Sequence, residues 1–111
     1  MSYIQLIVPE GDDPLYEISV VERQPDGTEL PFDLTGGTIT MRVKATRDTA
    51  DGSAMGSFTG NVIAPAVNGN FTVQVTNSVT TASGDYWYTI KWVAAGKQQT
   101  LQYGDWRVVN T

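Results

Sequence analysis

The sequence predicts a single all-β domain built as an antiparallel two-sheet sandwich of about seven to eight strands. Three observations carry that reading. Apolar and polar residues alternate at a period of two in one segment after another. Turn residues punctuate those segments at intervals of roughly ten residues. The one helical signal, Asn77 to Ser83, is a single turn that Asn77 or Ser78 would cap and Gly84 would end.

The elements follow in order. Residues 1–9 form an N-terminal strand with Ile4, Leu6 and Val8 inward, placed at a sheet edge or an interface, and Pro9 to Pro14 make a loop after it. Tyr16, Ile18 and Val20 mark a second strand. Gln24-Pro25-Asp26-Gly27-Thr28 is a turn, because Pro presets φ and Gly supplies a conformation that other residues avoid. Ile39, Met41, Val43 and Ala45 then alternate with Thr and basic residues in a half-buried strand. Asp48 to Gly60 is rich in Gly, Ser, Thr and Ala and predicts a mobile loop or a weak edge strand. Asn68-Gly69-Asn70 turns the chain into Phe71, Val73 and Val75, joined to the preceding strand as a hairpin. Tyr86, Tyr88, Ile90 and Trp92 form the next inward set, and Ala94-Ala95-Gly96-Lys97 closes the strongest hairpin. In the last strand the apolar phase slips between Tyr103 and Trp106, which predicts a β-bulge at Gly104-Asp105.

At 111 residues, with 41% hydrophobic and 17% charged side chains, the chain supports one core and no second domain. Its formal net charge of -5 disfavours nucleic acid and anionic membrane as partners. With neither Cys nor His there is no thiol nucleophile, imidazole base or soft metal ligand, and an enzyme is not expected. No stretch has the roughly 20 apolar residues of a spanning helix, and the start lacks a basic signal-peptide region. Synthesis in the cytoplasm of the cell, without export, is the expectation.

Several acidic and hydroxyl side chains are of types that carry chemistry elsewhere. Glu10, Asp12 and Asp13 with Asp48 and Asp51 would supply oxygen ligands to Ca²⁺ if their loops met, yet acidic turn residues usually serve local hydrogen bonds and solvation. Glu17 and Glu22 are carboxylates of the kind glycosidases pair, without a pocket evident between them. The many Ser and Thr hydroxyls lack a base, since Lys44, Lys91 and Lys97 read as solvent-facing. No catalytic, cofactor or metal site is assigned.

Strand phase points instead to an interface. If Tyr86, Tyr88, Ile90 and Trp92 face the core, Trp87 and Val93 face outward beside Lys91. In the first strand Tyr3, Gln5 and Ile7 take the outward phase, so both faces carry apolar residues. Tyr3, Gln5, Ile7, Trp87, Lys91 and Val93 are therefore the candidate contact residues. The bland alternative is that strand ends or the 48–60 segment of the same chain fold over them.

Three stretches resemble the Ig-like β-sandwich module of tailed-bacteriophage virion proteins. They are Asp33-Leu34-Thr35-Gly36-Gly37-Thr38-Ile39-Thr40-Met41-Arg42-Val43; Gly69-Asn70-Phe71-Thr72-Val73, continuing through Thr81-Ala82-Ser83-Gly84-Asp85-Tyr86-Trp87-Tyr88-Thr89-Ile90; and Leu101-Gln102-Tyr103-Gly104-Asp105-Trp106-Arg107-Val108. The resemblance implies an Ig-like sandwich, for which a jelly-roll-like arrangement is the alternative. A copy ending at Thr111 is most similar to capsid decoration proteins of the cement or staple type. Such a protein is expected on the virion surface, clamping neighbouring major capsid subunits as a homodimer or other homo-oligomer. The alternatives are a tail, neck or baseplate adaptor with the same fold, and a carbohydrate-binding module for host attachment.

Overall fold

The computed structural model describes residues 2–110. The described chain is all-β, with ten strands: β1 (Ser2–Tyr3), β2 (Leu6–Pro9), β3 (Leu15–Ser19), β4 (Val21–Arg23), β5 (Glu29–Pro31), β6 (Thr38–Lys44), β7 (Gly56–Val62), β8 (Asn70–Gln74), β9 (Gly84–Ala94) and β10 (Lys97–Val109). Eight of them form one curled sheet in the order β1-β10-β9-β6-β7-β8-β3, with β2 continuing past β1 along β10. β4 and β5 pair separately around the Gln24–Thr28 turn, where Asp26 Oδ1 accepts the Thr28 amide proton.

The curl makes the sandwich. β7 pairs with β6 through Gly56–Thr59 and with β8 through Gly60–Val62, so a single strand passes from one layer into the other. Between the layers lie Ile39, Met41 and Val43 of β6, Phe71 and Val73 of β8, Tyr88 and Ile90 of β9, and Trp106 and Val108 of β10, all essentially buried. The period-two pattern thus places the inward residues of β6, β8 and β9 as the alternation predicts. Ala94 and Lys97 pair across Ala95 and Gly96, both at positive φ, the two-residue geometry that suits strand twist.

Four local expectations are corrected. Asp48 to Gly60 is not a loose loop or an edge: after a 3-10 turn at Asp51–Ser53 it enters β7, an internal strand. Its glycines are packing sites, since a Cβ on Gly60 would lie 2.8 Å from Ile39 Cγ2 and one on Gly56 2.7 Å from Val79 Cγ1. The bulge falls at Leu101, not Gly104-Asp105, because the register shifts between Thr100 and Gln102 and then runs unbroken to Val108. Leu101 and Gln102 are consequently both buried, and Tyr103 turns outward. The predicted helical turn contracts to a 3-10 turn at Asn77–Val79, with no side-chain cap from either Asn77 or Ser78. Lastly, the Asn68-Gly69-Asn70 turn ends a longer connection containing a 3-10 turn at Ala66–Asn68, although β7 and β8 do pair antiparallel as expected.

The N-terminal strand differs most from an all-antiparallel plan. β1 and β2 both run parallel to β10, with Ser2 opposite Gln102 and Leu6 opposite Trp106, one constant offset along an interrupted strand. The interruption at Ile4–Gln5 has a cause. Gly104 faces it, and a Cβ there would sit 2.2 Å from the Ile4 carbonyl oxygen. That oxygen accepts a hydrogen bond from Tyr88 Oη at 2.6 Å, Gln102 Nε2 donates to the same Oη at 3.0 Å, and Ile4 N donates to the Tyr103 carbonyl at 2.9 Å. The backbone is drawn toward buried polar partners, and the Ile4 side chain is pushed out to 43% exposure. Val8 is the member of the predicted inward trio that reaches the core, with Leu6 half-buried beside it.

Candidate functional site

The outward face of β1, β2, β10, β9 and β6 gathers the residues with binding chemistry. Pairing sets them in rows across the sheet. Tyr3 lies opposite Tyr103, Tyr103 opposite Thr89, and Thr89 opposite Arg42. In the next row on one side Asp105, Trp87 and Lys44 are opposite one another, and on the other side Thr100, Lys91 and Thr40. Side chains directly opposite on one face approach to about 5 Å at Cβ, so these groups are neighbours.

Thr89 is the small residue at the centre of this grid, and a depression of about 270 Å³ opens there, lined by Arg47, Trp87, Thr89, Thr100 and Tyr103. The aromatic walls support one another. The Trp87 and Tyr103 ring centroids are 5.7 Å apart, and Tyr3 lies 6.1 Å from Trp87 and 5.7 Å, edge-on, from Tyr103. Arg47, reaching over from the segment after β6, holds its guanidinium 5.2 Å from the Trp87 centroid. Tyr3 Oη donates to Asp105 Oδ2 at 2.5 Å, and that hydrogen bond to a carboxylate raises the phenol pKa. At the floor, the Thr89 hydroxyl is the one buried side-chain polar atom among the described residues with no hydrogen-bond partner.

Basic charge collects around the depression. Arg42, Lys44, Arg47 and Lys91 are four of the seven Lys and Arg residues in an otherwise acidic chain. Asp51, set by the 3-10 turn, faces three of them: Lys44 Nζ at 2.6 Å, Lys91 Nζ at 3.1 Å and Arg42 at 3.8 Å. The Lys44 ammonium beside it, helped by Lys91, lowers the Asp51 carboxyl to about 2 against an opposing effect of burial. Arg47 has no ion pair among the described residues.

The six residues singled out from strand phase do not form one patch. Tyr3, Gln5 and Ile7 are exposed along β1 and β2, with Tyr3 at 53% and Ile7 at 58%. Trp87 is half-buried, covered within its own chain by Tyr3, Tyr103 and Arg47. Lys91 is held by Asp51. Val93 is 47% exposed but stands six residues from Trp87, about 20 Å along β9 at the hairpin end. The alternation did not single out Thr89, Tyr103 or Arg47. Tyr103 carries an outward signal only once the bulge is placed at Leu101, and Arg47 lies in a loop without periodicity.

The acidic candidates are dispersed. Glu10 Oε2 accepts from the Ser83 amide at 3.1 Å, Asp13 Oδ1 accepts from the Asn77 amide at 2.5 Å, and Asp51 belongs to the lysine cluster. No group of three or more potential metal ligands occurs among the described residues. Glu17 and Glu22 are exposed on strands of different sheets. No family model and no curated protein sequence matches this chain.

Proposed function

We propose that this chain is a non-catalytic structural protein of a bacteriophage particle, which binds the outer capsid surface and clamps neighbouring major capsid subunits as a homodimer or other homo-oligomer. The observation that carries the binding role is the β1–β2 strand. It pairs with β10 along one side, no described strand pairs with its other side, and it holds Tyr3 and Ile7 more than half exposed. A free edge beside outward apolar side chains accepts a partner strand or docks a partner surface. Burying each such side chain contributes about 1.5–3 kcal/mol, and Tyr, Trp and Arg are the residue types that dominate contact energies.

The capsid setting is supported by the resemblance of the Asp33–Val43, Gly69–Val73 with Thr81–Ile90, and Leu101–Val108 stretches to phage virion modules. Clamping then requires only added contact area across subunit junctions, with no bond made or broken. Heating particles with and without the protein tests it. Release of DNA at a higher temperature in its presence is expected, whereas equal release temperatures, or a tagged copy located on the tail, would overturn the capsid assignment.

A further inference from the structure

We propose that the depression over Thr89 is a binding site for a pyranose sugar bearing a carboxylate, of the uronic or sialic acid type. The depression adjoins the β1–β2 edge to which protein contact is assigned, because Tyr3 packs against both of its aromatic walls, but Tyr3 and Ile7 do not line it. Its walls are two aromatic rings, which offer flat apolar surface to the C–H face of a sugar ring. Its volume of about 270 Å³ falls just below the roughly 300–1,000 Å³ of sites for drug-sized ligands. One or two sugar rings fit that size better than a folded partner does.

Charge sets the ligand class. Arg47 holds its guanidinium carbon over the Trp87 ring, 5.2 Å from the centroid, and a guanidinium in such a cation–π contact still has N–H groups to offer a carboxylate. No described carboxylate takes them. Of the acids on this face, Asp51 is shared among Arg42, Lys44 and Lys91, Asp105 accepts from Tyr3 and Asp85 faces Arg107, so the five basic side chains still outnumber the three carboxylates. An anionic group is therefore attracted and a cationic one repelled.

The floor points to a ligand rich in hydroxyls. Thr89 is nine-tenths buried, lines the depression, and has no partner for its Oγ1. Leaving such a group unsatisfied is unfavourable. A sugar hydroxyl seated there, with a turn of the Thr89 side chain about χ1, supplies the missing bond. Thr100 on the rim adds a second hydroxyl.

The test uses the whole chain and tryptophan fluorescence titrations with two matched pairs: 3′-sialyllactose against lactose, and trigalacturonate against galactotriose. A polyglutamate peptide is the control for acidic protein. At least one acidic sugar is expected to bind saturably and at least tenfold tighter than its neutral counterpart. R47Q should reduce that preference to less than threefold, and T89V should weaken the acidic sugar severalfold while the fold stays intact. Equal binding of acidic and neutral sugars, binding of polyglutamate as tight as that of the sugars, or no effect of R47Q would overturn the assignment. None of these outcomes bears on the thermal release of DNA from particles, so failure here is distinguishable from failure of the capsid reading.

Discussion

Replacing Thr89 by Val should make the protein more stable, an unusual direction for a change at a buried position. Thr and Val are both β-branched and of nearly the same shape, so the change is one of polarity rather than of volume. It removes a hydroxyl that has no partner in the folded chain but is hydrated in the unfolded one. A buried unsatisfied hydroxyl costs about 1–3 kcal/mol. Allowing for relaxation around a residue still 9% exposed, we expect a gain of about 1–2 kcal/mol. For a domain of this size each kcal/mol moves Tm by roughly 4 °C, so a rise of roughly 4–8 °C should follow. Urea titration with unchanged m-value and a calorimetric scan measure it. Thr59→Val, at an exposed position on the same outward face, is the control and should stay within about 0.5 kcal/mol. A Thr89→Val protein no more stable than the parent would refute the reasoning, because the hydroxyl would then be satisfied in solution.

Other consequences follow from the same geometry. Gly104→Ala places a methyl 2.2 Å from the Ile4 carbonyl, so hydrogen exchange at residues 2–9 should accelerate by an order of magnitude or more while the β9–β10 amides stay protected; unchanged protection would contradict the close approach of Gly104 to the Ile4 carbonyl. Because Lys44 and its neighbours lower the Asp51 carboxyl to about 2, its contribution is complete above the unfolded value near 4 and is lost as pH falls through 2. Asp51 is 40% exposed, so screening limits that contribution to about 1 kcal/mol, and Asp51→Asn should flatten the decline of stability between pH 4 and pH 2. Burial raises the Tyr16 and Tyr88 phenols to about 12; a raised folded value means stability is full below the unfolded value of about 10 and falls between pH 10 and pH 12. Absorbance at 295 nm should show the Tyr16 and Tyr88 phenols ionising only in that upper range or on unfolding, and ionisation of all five tyrosines near pH 10 in the folded protein would contradict their burial.

The parts of the fold that were legible beforehand are those governed by local chemistry. Alternation in Ile39–Val43, Phe71–Val75 and Tyr86–Trp92 reports which side chains leave water, and each set reaches the core. The Ala95-Gly96 turn is equally local. What escaped was non-local or masked by glycine. Gly56 and Gly60 look like loop residues until Val79 and Ile39 are seen to fill the space a Cβ would need. Parallel pairing of β1 and β2 with β10 leaves no mark on either sequence alone, since the same alternation serves both directions.

The site was legible to the same extent. Outward Trp87 follows from its neighbours' phase, as do Tyr3 and Ile7. Tyr103 depended on where one extra residue is absorbed, and a bulge moved by three positions reverses the face of everything between. Thr89 carries no signal in the sequence because a threonine on the outward phase of a strand is ordinary. It becomes informative once Trp87, Tyr103, Arg42 and Lys91 surround it and its hydroxyl is left without a partner.

Binding of the purified chain to particles stripped of it is the most direct test of the β1–β2 edge as the contact surface. Ile7→Asp should weaken that binding at least tenfold, while Leu15→Asp, equally exposed at 63% but on β3, should change it less than twofold. Equal affinity of the Ile7→Asp protein and the parent, or a larger loss from Leu15→Asp, would contradict the assignment.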